Sequence, residues 1–214
     1  MQHTGILCKT ADLQVSLGPA QRRPERAAIT GGPLYSDVHE RTWFSARGFQ
    51  RMIAITRATV DDAGEILRLQ KLAYQSEAEL YGDCALPPLT QSIESLREEF
   101  AGSVVLKAVS GERIVGSVRA KATDDACAIG RLVVHPEFQG QGIGSQLLKQ
   151  IEASFTGLSK YELFTGSESE ANIRLYERHG YVSTRTQTLS PTVSITFLEK
   201  PISIYKERPM AGPQ

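Results

Sequence analysis

Cysteine is scarce in this chain of 214 residues: Cys8, Cys84 and Cys127 stand far apart, with no C-x-x-C pair among them. An odd number of scattered thiols argues against a disulfide framework and for a reducing compartment, so a cytoplasmic location is expected. The four histidines, His3, His39, His135 and His179, fall in no metal-ligand spacing, and no metal is expected. No apolar run approaches the length of a membrane span, and the opening residues lack the apolar core of a secretory signal. Neither sign of charge is in excess, with 24 Lys and Arg against 24 Asp and Glu, so nucleic acid and membrane are not expected as partners.

Periodicity is also missing from the first quarter. Residues 1–51 hold Gly18-Pro19, Arg22-Arg23-Pro24 and Gly31-Gly32-Pro33, and no helical or strand repeat lasts a full element. They read as a disordered or adventitious extension. Ordinary domain grammar begins at Met52, itself a candidate initiator, and a domain is expected over 52–205 with a flexible tail at 206–214.

What is there falls into strands and amphipathic helices. Ile53–Arg57 alternates as a short strand. Thr59 N-caps a helix entered through Asp61-Asp62, with Ile66, Leu69 and Ala73 as its apolar stripe. Tyr74–Gln91, with Gly82 and Pro87-Pro88, reads as a loop. A second helix spans Ser92–Phe100. Val104–Val109 and Arg113–Lys121 are strands joined by a turn at Ser110-Gly111-Glu112. Ala128–Val134 is the central strand. Tyr161–Thr165 returns beside it, Ser169–Arg178 is a helix stopped by Gly180, and Tyr181–Thr186 and Ile195–Glu199 are the last strands. A strand, a helix and a strand of this length imply a parallel crossover.

Between the central strand and the next helix lies His135-Pro136-Glu137-Phe138-Gln139-Gly140-Gln141-Gly142-Ile143-Gly144. Ile143, Leu147, Leu148, Ile151 and Phe155 share one face of the helix that follows. A glycine-rich helix start offers unpaired N–H groups at the positive end of the helix dipole, a place to hold a phosphate. No Gly-Lys-Ser/Thr is present, which excludes a P-loop. Gly140-x-Gly142-x-x-Ser145, with Glu162 roughly 20 residues on, approaches a dinucleotide fingerprint. Against that reading, five residues separate strand from glycines, and Glu162 lies inside a strand. A purely structural turn is the third reading.

The run Val133-Val134-His135-Pro136-x-x-Gln139-Gly140-Gln141-Gly142-Ile143-Gly144 resembles the acyl-CoA-binding motif of the GNAT superfamily of N-acetyltransferases. Downstream, Asn172-Ile173-Arg174-Leu175-Tyr176-Glu177-Arg178-His179-Gly180-Tyr181 is similar to the helix and turn that close the CoA site in that family. The resemblance covers about Met52 to Lys200. It implies an α/β sandwich around a mixed, mostly antiparallel sheet, with helices on both faces and a central parallel strand pair splayed at the acyl-CoA site.

The function implied is transfer of an acetyl group from acetyl-CoA to a primary amine by direct attack in a ternary complex. By the resemblance, Gln139, Gly140, Gln141, Gly142, Ile143, Gly144 and Ser145 hold the pyrophosphate, and the main chain of Leu132, Val133 and Val134 aligns the pantetheine arm. Tyr176 is the general acid for the departing thiolate. A glutamate that many relatives carry in the central strand is replaced by Gly130, so the base is open among Glu77, Glu79, Asp124, Asp125, His135 and a water chain. Ser169 stands where many relatives have asparagine, and Asn172 is the substitute CoA contact. Glu77, Glu79 and Asp83 are candidates for holding a cationic amine. A non-catalytic acyl-CoA-binding module and, more weakly, a nicotinamide-dinucleotide protein are the alternatives. The acceptor and a homodimer are left open.

Overall fold

The computed structural model describes residues 52–202. The expectations for residues 1–51 and 206–214 lie outside the described residues. Seven strands form one sheet: β1 (Ile53–Arg57), β2 (Val104–Ser110), β3 (Arg113–Thr123), β4 (Ala126–Val134), β5 (Lys160–Gly166), β6 (Val182–Thr188) and β7 (Ser194–Pro201). Their order is β1-β2-β3-β4-β5-β7-β6. Each neighbouring pair is antiparallel except β4 and β5, which are parallel. The expected mixed sheet with one parallel pair is borne out.

Among the described residues six helices accompany it: α1 (Ala63–Ala73), α2 (Gln75–Tyr81), α3 (Pro87–Thr90), α4 (Ile93–Gly102), α5 (Ile143–Ala153) and α6 (Glu170–Arg178). Strand alternation sends successive side chains to opposite faces. Val105, Ile114 and Val133 therefore pack with Ile66 and Leu69 of α1 and Leu96 of α4. Their neighbours Leu106 and Val115 pack on the other face with Ile143, Leu147, Leu148 and Ile151 of α5. Helices cover both faces. Gly116 lets α5 sit close, because a β-carbon there would stand 2.9 Å from Leu147 Cδ1.

Tyr74–Gln91 is largely helical where a loop was expected. Gln75–Tyr81 consists mainly of good helix formers, and Gly82 ends it at φ +61°. Seven residues are too few to display an apolar period. Pro87 opens α3 from its first turn, where its missing N–H is no loss. Buried Gln70 ties α3 to α1, donating from Nε2 to the Pro88 carbonyl at 2.9 Å.

Thr59 stands at the head of a short 3-10 turn, Val60–Asp62, that precedes α1. Its N–H donates to Asp62 Oδ2 at 2.8 Å, so the aspartate does much of the capping. Ser92 caps α4 by accepting from the Ser95 N–H at 3.1 Å. Cys127 is a free, buried thiol.

Candidate acyl-CoA site

The parallel pair is joined only at its start. Ala126, Cys127 and Ala128 of β4 lie opposite Lys160, Tyr161 and Glu162 of β5, and no pairing continues beyond them. From Ile129 on, the edge of β4 that faces β5 is open. On its other edge β4 carries one extra residue: Ser117 and Arg119 of β3 lie opposite Val133 and Gly130. That count is a β-bulge at Arg131-Leu132. Arg131 takes φ +52°, a left-handed conformation that costs an L-residue about 1–2 kcal/mol.

The glycine turn lies past the end of β4. Pro136–Phe138 form a 3-10 turn, and Gln139 Nε2 reaches back to the Val134 carbonyl at 3.2 Å. Gly140 and Gly142 then adopt φ +74° and +80°, which L-residues rarely take. None of the backbone N–H groups from Gly140 to Ser145 donates to a protein acceptor among the described residues. Six consecutive donors are thus left without a protein acceptor in the turn and at the N-terminus of α5, the positive end of its dipole.

These features line one cavity of about 1220 Å³. Its walls include Leu132, Val133 and Val134 of β4, Gln139, Gly140, Gly142, Ile143, Gly144 and Ser145 of the turn and α5, and Asn172 and Tyr176 of α6. Glu77 of α2 lies there too. Of the CoA contacts expected from the resemblance all but Gln141 are brought together here, and of the carboxylates on the Tyr74–Gln91 segment Glu79 is left out. Gln141 does not line the cavity, and its Nε2 donates to the Glu137 carbonyl at 3.2 Å. Glu79 is exposed and does not line it either.

The seat of Tyr176 is set by a helix stop. Gly180, at φ +86°, donates to the Glu177 carbonyl at 2.9 Å, and the Tyr181 N–H donates to the Tyr176 carbonyl at 3.2 Å. This is a Schellman arrangement, and the rings of Tyr176 and Tyr181 meet edge to face at 5.9 Å. Tyr176 is buried at 8 % exposure, and its hydroxyl bonds no protein group among the described residues. Burial pushes its phenol well above the usual tyrosine range, with smaller contributions from Tyr74 and Glu77.

Asn172 and Ser169 meet Glu77 across the sheet end. Asn172 Nδ2 donates to Glu77 Oε1 at 3.2 Å, and the Ser169 hydroxyl donates to Glu77 Oε2. Sequence reasoning had no signal for this trio, because more than ninety positions separate the partners. Of the other base candidates, His135 packs against Arg113 in a separate small pocket. Asp125 accepts from the Ser159 hydroxyl at 2.7 Å, and neither it nor Asp124 lines the cavity. Gly130 does line it, and a β-carbon there would meet nothing within 4 Å.

Arg131, which the sequence reading passed over, also lines the cavity. Its guanidinium carbon lies 6.0 Å from the centre of the Tyr74 ring, and its Nε is buried without a hydrogen-bond partner. Nearby Arg119 is engaged by Glu99 at 2.7 Å. Burial lowers Arg119 to about 10 against the pull of Glu99, and the Arg131 cation adds to the lowering.

Residues 101–183 match the model of the acetyltransferase (GNAT) domain. Among solved structures, an acetyltransferase of the GNAT family from Streptococcus pneumoniae superposes with TM-score 0.58 at 19% identity, covering 71% of this chain and 99% of that one. The PaiA N-acetyltransferase of Thermoplasma acidophilum, in complex with coenzyme A, gives 0.58 at 16% identity, over 71% of this chain and 99% of that one. The ribosomal-protein-S18-alanine N-acetyltransferase of Escherichia coli gives 0.57 at 19% identity, over 73% and 97%. A curated relative, the UPF0157 protein YqkA of Bacillus subtilis (strain 168), is 28% identical over 127 residues. That alignment takes in 58% of this chain and only 36% of YqkA's length. Over residues 101–183 the sequence is thus similar to the GNAT acetyltransferase domain, and the seven-stranded sheet with its open β4–β5 pair has the fold of those solved acetyltransferases.

Proposed function

We propose that this domain transfers an acetyl group from acetyl-CoA to a primary amine, by direct attack while both are bound. The observation that carries the reading is the run of unpaired N–H groups from Gly140 to Ser145, next to the open edge of β4. A diphosphate satisfies the first, and an extended amide-bearing arm pairs with the second as an added strand would. The arm lies along Leu132, Val133 and Val134. A PaiA structure of the same fold holds coenzyme A, which supports the choice of ligand.

The amine must be neutral to attack, although a lysine-like amine has a pKa of about 10.4. Glu77 is the carboxylate positioned to accept its proton, directly or through a water, and Ser169 and Asn172 hold it in place. The nitrogen–carbon bond forms as the carbon–sulfur bond breaks. Tyr176 gives its phenolic proton to the departing sulfur, and the second proton of the amine replaces it. One proton is released overall. Glu79 and the Gln141 side chain take no part, and Asn172 acts by orienting Glu77 in place of touching CoA.

Calorimetry with acetyl-CoA tests the ligand, and release of free CoA against an amine library tests the reaction. Stabilisation by NAD with none by CoA would overturn the reading, since a ligand bound only by the native state raises its apparent stability. One observation favours the non-catalytic alternative: Gly130 leaves open the space where many relatives carry a carboxylate. Tight acetyl-CoA binding without turnover of any amine would establish that second reading.

A further inference from the structure

We propose that the acceptor is a small zwitterion of the α-amino-acid class, its carboxylate paired with Arg131 and its amine turned toward Glu77. The proposal rests on the acetyl-transfer reading of the same cavity and adds the substrate class to it.

Two opposite charges are held apart in that cavity. Arg131 projects from the β4 bulge, lines the cavity, and has no carboxylate within 4.0 Å among the described residues. Its Nε is shut off from water with no acceptor. A desolvated guanidinium edge without a partner is unfavourable until an anion arrives. The neighbouring cation is no substitute, since Arg119 is already neutralised by Glu99 at 2.7 Å. Tyr74 offers Arg131 only a ring face at 6.0 Å, and no hydrogen bond or ion pair among the described residues engages its terminal guanidinium nitrogens. Glu77, on α2, lines the same cavity, receives Ser169 and Asn172, and makes no ion pair with Arg131. One fixed carboxylate and one unpaired guanidinium in a single cavity complement a molecule that carries an ammonium and a carboxylate. Arg131 also directly precedes Leu132, where the thioester arm would lie.

The test uses the full chain, saturating acetyl-CoA, and the common L-α-amino acids, each beside its own carboxamide. At least one amino acid is expected to release CoA with a kcat/KM about tenfold or more above that of its amide. Arg131→Gln should bring that ratio close to one, through the amino acid's KM, with acetyl-CoA affinity unchanged by calorimetry. Arg131→Gly suits φ +52° and serves should the glutamine variant fail to fold. The proposal is overturned if amides match acids, if the ratio survives in the variants, or if no amino acid turns over while acetyl-CoA binds. A fall in acetyl-CoA affinity in the variants would overturn it too, assigning Arg131 to a CoA phosphate. Absence of acetyl-CoA binding by the unaltered chain is a different result, and it sinks the acetyl-transfer reading itself along with the proposal.

Discussion

The hydroxyl of Tyr81 occupies the space that a β-carbon on Gly166 would need; the two would stand 2.3 Å apart, with ring carbons at 2.8 Å. The same hydroxyl accepts from the Glu168 N–H at 2.8 Å, so α2 is clasped to the end of β5 over a chain separation of 87 residues. Tyr81 is buried, and its hydroxyl is held by that hydrogen bond. Gly166→Ala should cost about 1–3 kcal/mol by overpacking, read as a lower midpoint in urea unfolding. An unchanged midpoint would show that the clasp is loose.

Gly142 is the N-cap of α5 and holds φ +80° with open space around its α-carbon. Alanine there is opposed by backbone conformation alone, at about 1–2 kcal/mol. Turning the peptide to relieve that strain re-aims the N–H groups beside it. Gly142→Ala is expected to weaken acetyl-CoA binding about tenfold in calorimetry, and Gly142→Glu more, because it sets a negative charge against the diphosphate. Equal affinity in all three proteins would remove the turn from the site.

Tyr176 is expected to stay protonated across the working range, because burial raises its pKa. A raised acid is lost only as pH climbs through its folded value, so no alkaline decline in rate below about pH 10 should be traceable to it. Tyr176→Phe should lower kcat about a hundredfold or more while acetyl-CoA affinity holds. A rate equal to that of the unaltered chain would exclude the phenol from the proton path.

His135 supplies a pH dependence of stability. Burial lowers its pKa, and the Arg113 cation beside it lowers it further. The folded protein therefore binds that proton less readily than the unfolded chain, whose value is about 6.5. Stability is retained above that pH and declines as pH falls from about 6.5 through the lower folded value. His179, lowered chiefly by burial, acts in the same sense. Melting curves between pH 7.5 and roughly pH 5 should show Tm falling with acid. His135→Gln should flatten that slope in part, and an unaltered slope would assign the whole effect elsewhere.

Glu152 gathers the end of α5, β5 and β7 in the core. Its Oε1 accepts from the Tyr181 hydroxyl at 2.9 Å, and its Oε2 from Lys200 Nζ at 2.6 Å. Glu152→Ala leaves a partly buried ammonium and a buried phenol unpaired, and should cost about 3 kcal/mol in chemical denaturation. A loss of under about 1 kcal/mol would mean that water replaces the carboxylate.

Local chemistry was enough to announce much of this molecule. The stripe Ile143, Leu147, Leu148, Ile151 repeats with the helix, and those four side chains are buried in the core. The glycines at 140 and 142 mark a turn that L-residues disfavour, and Gly180 marks the stop that seats Tyr176. Each of these signals acts within a few residues of itself, so a reading of the chain can find it. The helices of Tyr74–Gln91 escaped because each is too short to show a period. Only the folded sheet decided the rest. Where β4 parts from β5, that a bulge turns Arg131 into the cavity, and that Glu77 meets Ser169 and Asn172 are outcomes of packing between distant segments. Hydrogen bonds and steric contacts act over a few ångströms whatever the chain separation, and no pattern along the sequence records them.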